Sequence, residues 1–233
     1  MVFSSSKRLC WRILPLLLFA CLLCLVCTLH TYAEAPSLTL QGDAAVTYGD
    51  DLALRITLSD AAFTPGDAVT LTLAGVDEPI GSAVLDENGA ATVTLAHPAN
   101  AAEGKLTCRL DKGTQVITAT LGDTLSASHT VEVAPRTVTL KNFSVADRVY
   151  DGTTAATATH EGLEGVLNED TVNLVEGVCY FRDRTVNLDV QGAPIPKPAS
   201  IGGYDLSGTH HYNYELQLPT ELTATILPKS IRL

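Results

Sequence analysis

The sequence predicts an all-β protein built of tandem β-sandwich modules. Three observations lead to this prediction: short segments alternate apolar and polar residues, turn-forming residues separate these segments, and no window keeps a helical period. Alternation with a period of two places every second side chain on the same face of a strand, so one face can be buried while the other meets solvent. About 200 residues follow the N-terminal segment, which is enough for two domains of about 100 residues.

The first element along the chain is a predicted signal peptide, residues 1–33. Three basic residues precede an apolar run at residues 13–29, and small residues follow near Ala33, where we expect cleavage. This run is at the short limit of the ~17–25 residues needed to cross a bilayer, so membrane contact is expected only if the segment stays uncleaved. The prediction is therefore an exported protein, secreted or held at the cell surface. Four of the six cysteines leave with this segment.

The acidic composition excludes one class of partner. The chain has 15 Lys and Arg against 26 Asp and Glu, a formal charge of −11, which becomes −14 when the three basic residues of the leader are removed. A chain of this charge repels the phosphates of nucleic acids and anionic lipid surfaces. We therefore predict no nucleic-acid partner.

The first module is predicted at residues 36–135. Residues 86–89, with the sequence Asp-Glu-Asn-Gly, have the composition of a tight hairpin turn, because Asn-Gly supplies the positive φ values that such turns require. Asn100 can cap a single helical turn at residues 100–103. The predicted half-buried antiparallel strands lie at residues 38–40, 52–58, 69–73, 92–95, 116–120 and 130–133.

The second module is marked by two motifs. In Tyr150-Asp151-Gly152, Asp-Gly makes a turn and the Tyr150 ring packs over the end of the sheet, after which a strand restarts. In Asn213-Tyr214, the tyrosine hydroxyl is expected to be buried at a corner and to find a backbone partner. All five residues are therefore predicted to have structural roles.

A repeated linker pattern sets the module boundaries. Residues 134–140 and 227–233 both place a proline before a basic residue and an alternating strand. The first copy ends the first module and opens a second module at residues 136–229. The second copy predicts that residues 230–233 begin a third module, with the alternative that they add a last edge strand to the second.

Residues 136–229 resemble the YDG-type repeat module of bacterial secreted surface proteins, which are often large and adhesin-like. The resemblance implies an extracellular structural or adhesive module, with a fold that is either a sandwich or β-grasp-like. It rests on the order and spacing of residues 148–154, 206–208, 213–216 and 223–229.

Residues 36–135 are similar to bacterial Ig-like repeats of secreted proteins. The similarity rests on the turn at residues 46–50, the segment 85–95 and the strand at 117–123, and it implies an Ig-like β-sandwich. The sequence departs from that pattern at Leu121, where an aromatic residue is expected. It also lacks the Trp and the cysteine pair that form the antibody-type core pin.

We predict no enzymatic activity, no cofactor and no metal site. Asp and Glu fall mainly in turns, at residues 50–51, 86–87 and 169–170, where solvation explains them, and no nucleophile motif occurs. The adjacent histidines 210 and 211 would face opposite ways on a strand, so a surface loop is predicted there. The candidates for ligand contact lie in the Pro-rich loop and in this turn: Pro194, Pro196, His210, His211 and Tyr212.

Cys108 and Cys179 are the two cysteines beyond the leader. In an exported protein such a pair can form a disulfide, which here would join the two modules. The alternative is two separate buried thiols on strands, each acting as a small apolar residue.

Together these observations predict a non-enzymatic exported bacterial surface protein, either a structural stalk or an adhesin. Its partner would be a host or matrix protein or a glycan, and the protein would be monomeric or part of a longer chain. The alternative is a carbohydrate-binding accessory region of a larger secreted enzyme, which would need an exposed strip of aromatic rings. Tyr204, Tyr212 and Tyr214 are the cluster that could supply such a strip.

Overall fold

The computed structural model describes residues 35–59 and 64–232, and nearly all of their regular structure is β-strand. The all-β prediction is therefore confirmed, whereas the predicted signal peptide at residues 1–33 lies outside the described residues. The helical segments in the described ranges are two short 3-10 turns, and no helix in these ranges is long and apolar enough to cross a membrane.

A first group of strands lies between residues 37 and 134 and forms two sheets. Its members are β1 (Ser37–Gly42), β2 (Ala45–Thr47), β3 (Leu52–Ser59), β4 (Ala68–Leu73), β5 (Gly81–Val84), β6 (Ala90–Ala96), β7 (Lys105–Thr107), β8 (Gly113–Leu121) and β9 (Leu125–Ala134). One sheet has the order β1-β3-β6-β7, and the other has the order β2-β9-β8-β4-β5. Alternate residues of both sheets are buried in one hydrophobic core, as the period-two pattern predicts.

The turn at residues 86–89 forms, but it does not make the expected hairpin within one sheet. The Asp86 carboxylate closes it by accepting the N–H groups of Asn88 at 2.8 Å and Ala90 at 3.0 Å. However, β5 pairs with β4 in the five-stranded sheet, and β6 pairs with β3 in the other. A local turn signal fixes where the chain reverses direction, but it does not fix which strands pair afterwards. Here β5 and β6 belong to different sheets, and each buries one residue, Ala83 or Val93, in the core that the two sheets share.

The short helical turn predicted at residues 100–103 lies earlier, at Pro98–Asn100. Proline favours the first position of such a turn because its fixed φ suits the turn and its missing N–H is not needed. The cap is His97 rather than Asn100: its ring Nδ1 accepts the N–H of Ala99 at 3.1 Å.

A second group of strands follows without a break in the chain, since only Pro135 separates β9 from β10. Its members are β10 (Arg136–Leu140), β11 (Ser144–Val145), β12 (Arg148–Val149), β13 (Ala155–Ala156), β14 (Ala158–Thr159), β15 (Leu163–Glu164), β16 (Asn173–Val175), β17 (Val178–Phe181), β18 (Lys197–Gly202), β19 (Asp205–Ser207), β20 (Tyr214–Gln217), β21 (Leu222–Ala224) and β22 (Ile226–Leu227). A 3-10 turn at His211–Asn213 precedes β20. The larger sheets here are β15-β10-β20 and β13-β17-β18-β21, and the remaining strands pair two by two.

Four strand pairs are parallel, although the alternation had suggested antiparallel strands. They are β2 with β9, β6 with β7, β10 with β20, and β12 with β22. Alternation reports which face of a strand is buried and carries no information about the direction of its partner.

The hydrophobic core does not stop at Pro135. Val138, Leu206 and Tyr214 of the second group belong to the same cluster of buried residues as the first two sheets. A separate, smaller cluster of buried hydrophobic residues lies entirely within the second group and consists of Cys179, Phe181, Ala199, Leu222, Ala224 and Ile226. The two groups of strands therefore share one core at their junction.

The segment after β22 forms no strand within residues 228–232. Ile231 is 84% exposed, so the alternative in which residues 230–233 add an edge strand to the second group is not seen in the described part of the chain.

Candidate functional site

A fully buried carboxylate lies where the two groups of strands meet. The side chain of Asp170 is 0% exposed. Its Oδ2 accepts the hydroxyl groups of Tyr214 at 2.6 Å and Tyr48 at 2.8 Å. Its Oδ1 accepts Nη2 of Arg109 at 2.9 Å and lies 3.3 Å from Nε2 of His97. We call these five residues the Asp170 cluster.

The Asp170 cluster joins distant parts of the chain. Tyr48 follows β2, His97 follows β6 and Arg109 follows β7, so three members come from the first group of strands. Asp170 precedes β16 and Tyr214 begins β20 in the second group. The Asp170 carboxylate, which belongs to the second group of strands, is thus enclosed largely by hydrogen-bond donors of the first group.

The surroundings of Asp170 keep it ionised. Burial by itself would raise the pKa of this carboxyl, but the hydrogen bonds from Tyr214 and Tyr48 and the charge of Arg109 outweigh burial and hold the pKa below its ordinary value. Hydrogen bonds to a buried carboxylate are charge-assisted and are stronger than neutral ones. The pKa values of both tyrosines are raised, first by burial and then by this carboxylate, so both hydroxyls remain donors.

His97 is held in its neutral form. Its Nδ1 accepts the N–H of Ala99, so the ring proton is on Nε2, which lies 3.1 Å from the hydroxyl of Tyr48. Protonation of Nδ1 would set two N–H groups against each other. The pKa of His97 is lowered, mainly because its side chain is buried and in spite of the nearby carboxylate of Asp170.

The turn that carries Asp170 folds around the Tyr214 hydroxyl. This oxygen accepts the N–H of Leu167 at 3.1 Å while it donates to Asp170. The backbone partner expected for Tyr214 is therefore Leu167. Glu169 has a positive φ of 71°, which is uncommon outside glycine, and its carbonyl accepts Arg109 Nη2 at 3.2 Å. Contacts on both sides thus stabilise the turn.

A second set of hydrogen bonds lies beside the Asp170 cluster. Asn213 is 0% exposed; its Oδ1 accepts the N–H of Lys112 at 2.7 Å and its Nδ2 donates to Asp111 at 2.8 Å. The hydroxyl of Tyr212 donates to the other carboxylate oxygen of Asp111 at 3.1 Å. The turn before β20 is therefore bonded to the segment before β8.

The Tyr150-Asp151-Gly152 motif forms a separate, local turn. Asp151 Oδ1 accepts the N–H and the hydroxyl of Thr153, each at 2.8 Å, and forms an ion pair with Arg148. These contacts, with the backbone N–H of Thr153 first, lower the pKa of Asp151 to about 2. Gly152 has a φ of +82°, and the Tyr150 ring packs against the second hydrophobic cluster.

Residues 134–223 match the family model described as the YDG domain. This part of the chain is a YDG domain. It starts and ends slightly earlier than the 136–229 expected from sequence, and it includes Asp170, Tyr214 and the turn at residues 150–152. No curated protein matches the chain.

The contact candidates occupy two different places in the YDG domain. His210 lies at the junction: its Nδ1 accepts the N–H of Thr171 at 2.9 Å and is 3.7 Å from Asp170. His211 is exposed beside it. Tyr212 is 46% exposed, although it is bonded to the first group of strands as described above. Pro194 and Pro196 lie instead in the segment between β17 and β18, where Pro194 forms an isolated bridge with Leu188.

The two cysteines are both free and buried, so the disulfide considered from sequence is not formed. Cys108 belongs to the first hydrophobic core and Cys179 to the second cluster. Burial raises the pKa of the Cys108 thiol to about 11 and also raises that of Cys179, so both behave as apolar residues.

One small cavity lies beside the Asp170 cluster. The cavity next to His97 measures about 10 Å³, which is room for one water molecule at most. Among the described residues, no group of three His, Cys, Asp or Glu side chains is placed to hold a metal ion. Side chains of types that often act in catalysis are present here, but they form hydrogen bonds and ion pairs with one another.

The sequence indicated only part of this site. The burial of Tyr214 was expected, whereas Asp170 was placed in a solvated turn, which is wrong. Its burial depends on Tyr48 and Arg109, more than 60 residues away in the chain, as the spacings of 122 and 61 residues show. No local pattern carries that information.

Proposed function

We propose that the chain is a non-enzymatic, exported surface protein in which an Ig-like module and the YDG domain form one stiff unit. Such a unit serves as a stalk or as an adhesin that presents its outer loops in a fixed direction. The observation that carries this proposal is the Asp170 cluster, because a fully buried carboxylate that is bonded to one arginine and two tyrosine hydroxyls allows few relative orientations of the two strand groups.

The packing of the first group supports an Ig-like module. Two sheets bury their alternate residues in one core, and strands from both sheets alternate along the chain. The leader-like segment and the acidic charge of the rest of the chain support export to the surface.

The geometry of the junction supports a structural role rather than catalysis. Tyr48, His97 and Asp170 are residue types that act in proton transfer, but a general base needs access to the proton that it removes. Here the carboxylate is fully buried and the histidine is 3% exposed.

The alternative of a carbohydrate-binding accessory region receives no support from its three tyrosines. Tyr214 is 6% exposed and bonded inside the junction. Tyr204 packs edge-on against Phe143 at 5.8 Å, and Tyr212 is bonded instead to Asp111 of the first group of strands. They do not form one planar strip.

The proposal is tested by measuring whether the two strand groups keep one orientation in solution. Residual dipolar couplings of backbone N–H groups in the exported chain should fit a single alignment tensor for residues 37–134 and 136–227. Asp170→Asn should require two tensors, because the amide places N–H donors where Tyr and Arg also donate.

Asp123→Asn is the matched control, since it makes the same change of charge at an exposed turn. It should keep the single tensor. Two independent tensors for the unchanged protein would overturn the proposal of a stiff unit.

A further inference from the structure

The second group of strands ends with the same backbone arrangement that precedes it. Before this group, β2 pairs in parallel with β9, and the N–H of Tyr48 donates to the carbonyl of the last residue of β9 at 2.8 Å. At its end, β12 pairs in parallel with β22, and the N–H of Tyr150 donates to the carbonyl of the last residue of β22 at 2.8 Å. A proline follows in the chain both times, so we call the two arrangements the Pro135 joint and the Pro228 joint.

The turn after each tyrosine is also similar in the two joints. Gly49 comes one residue after Tyr48 and has a φ of +87°, and Gly152 comes two residues after Tyr150 and has a φ of +82°. Tyr48 belongs to the first hydrophobic core, and the Tyr150 ring packs against the second cluster. Each joint therefore carries a tyrosine on the core of its own group, followed by a left-handed glycine.

The two joints differ in what covers them. Tyr48 is 0% exposed, and its hydroxyl donates to Asp170 at 2.8 Å. A Cβ built on the glycine beside Tyr48 would lie 2.2 Å from Leu167 Cδ1, whereas no atom lies within 4 Å of a Cβ built at the corresponding glycine of the Pro228 joint. The hydroxyl of Tyr150 forms no hydrogen bond with any residue in the part of the chain that the structure describes. The Pro135 joint is thus covered by the YDG domain, and the Pro228 joint is open.

Large apolar side chains are exposed at the open joint. Val149 and Leu227 are register partners in the parallel pair and are 53% and 40% exposed. The same register positions of the Pro135 joint hold the smaller Thr47 and Ala134. Exposed apolar side chains that lie together commonly mark a contact surface.

The residues after each proline share a pattern but differ in burial. Residues 136–140 and 229–233 both run basic, polar, apolar, polar, Leu, which gives Ile231 the place of Val138. Val138 is 0% exposed on β10, which lies between β15 and β20, whereas Ile231 is 84% exposed and residues 228–232 form no strand. The open joint therefore lacks what the YDG domain supplies at the covered one: two flanking strands and a turn that carries a carboxylate.

We propose that the Pro228 joint is a docking surface for a further YDG domain, joined to it through residues 229–233. These residues then form the central strand of a three-stranded sheet with the incoming domain, as β10 does after Pro135. The Tyr150 hydroxyl donates to the carboxylate of the incoming domain that corresponds to Asp170, as Tyr48 does at the first joint. This inference goes beyond the proposed function, because it concerns the other end of the second group and requires neither export nor adhesion.

The test is a chain that contains both the joint and its proposed occupant. In this extended chain, residues 34–228 are followed directly by an added copy of residues 136–227. Val190→Cys in both copies, at a valine that is 95% exposed, provides two sites for spin labels, while the native cysteines are buried. Double electron–electron resonance then measures the distance between the labels. We expect one narrow distance distribution, because docked copies keep a single orientation.

Tyr150→Phe in the first copy removes the proposed hydrogen bond and keeps the ring. It should raise the undocked fraction, seen as a broad component of the distance distribution, by about tenfold, the effect of losing one hydrogen bond to a charged group. The same substitution in the added copy is the matched control, because no domain follows that copy. It should leave the distribution unchanged.

The incoming carboxylate is tested in the same way. Asp170→Asn in the added copy should also raise the undocked fraction, since the amide places N–H donors where the tyrosine hydroxyls donate. Glu221→Gln in the added copy makes the same change of charge at an exposed residue and should have no effect.

In the unextended chain, Tyr150→Phe should leave the midpoint of urea unfolding unchanged, because the hydroxyl has no partner among the described residues there. Four outcomes would overturn the proposal: an added copy that circular dichroism shows to be unfolded, a broad distribution in the unsubstituted extended chain, equal effects of Tyr150→Phe in the two copies, or a lowered midpoint in the unextended chain. The dipolar-coupling test of the stiff unit uses the unextended chain, so the two proposals fail separately.

Discussion

At the scale of single residues, Asp170 shows how a charge can be buried within a β protein. The desolvation of its carboxylate is compensated by an arginine and two tyrosine hydroxyls. His97 completes this enclosure only as a neutral ring, because its second nitrogen already accepts a backbone N–H. The junction therefore depends on the charge of one residue and the neutrality of another.

This dependence predicts that stability falls as the solution is acidified. The folded pKa of His97 lies below its unfolded value of about 6.5, so the unfolded chain takes up the proton first and stability declines below that pH. The folded pKa of Asp170 is also lowered, so its contribution is lost later, as the pH falls below about 3.9. Acidification therefore lowers the stability of the fold through both residues.

Urea unfolding at pH 7.5 and at pH 5 should therefore give a lower free energy of unfolding at pH 5. His97→Gln should reduce that difference, because glutamine does not titrate in this range. His211→Gln, at an exposed histidine, should retain it. An equal difference in all three proteins would show that His97 is not the group responsible.

At the scale of elements, turns were easier to predict than the strands that pair across them. The reversal at residues 86–89 and the Asp-Gly turn at Gly152 follow from side chains that bond to their own neighbourhood. The crossing from one sheet to the other after residue 89, and the parallel direction of β2 against β9, depend on the whole core. Most strands of the first group were thus predictable, but their pairing was not.

Two glycines with similar φ angles allow the cost of backbone strain to be compared with the cost of close packing at the junction. Gly152 has a φ of +82° with no atom within 4 Å of an added Cβ, so Gly152→Ala should cost about 1 kcal/mol through strain alone. Gly49 has a φ of +87°, but there a Cβ would lie 2.2 Å from Leu167 Cδ1. Gly49→Ala should therefore cost clearly more.

Equilibrium unfolding in urea measures both costs. The double variant Gly49→Ala with Leu167→Ala should recover part of the loss if the clash is its cause. Equal costs for the two single glycine variants would contradict the close packing of these residues.

At the scale of the whole molecule, the boundary predicted at residue 135 separates two stretches of sequence but not two cores. Val138 is 0% exposed and lies in the cluster built by the first two sheets. The chain pattern around Pro135 indicated a linker, because a proline between two alternating strands is typical of one. Nothing in that pattern reveals that Tyr214 and Leu206 return to complete the first core.

A shared core and two separate cores lead to different predictions about which strands a single core substitution destabilises. Val138→Ala should lower the free energy of amide opening in β3 and in β20 alike, by about 2 kcal/mol, because a cavity in the common core affects both groups. Ile226→Ala, in the second cluster, should lower it in β17 and β18 but not in β3. Native-state hydrogen exchange resolves these strands individually, and a fall confined to β20 in Val138→Ala would show two independent cores.

The parallel pair of β2 and β9 also determines how the molecule bears a mechanical load. A pull on the chain before Ala45 and after Ala134 draws the two strands lengthwise in opposite directions, because the loaded ends lie at opposite ends of the pair. Its outermost hydrogen bonds, from Glu132 to Ala44 and from Tyr48 to Ala134, are then strained together instead of opening one after another. The pairing of β12 with β22 repeats this shear arrangement in the second group, where Tyr150 bonds to Leu227.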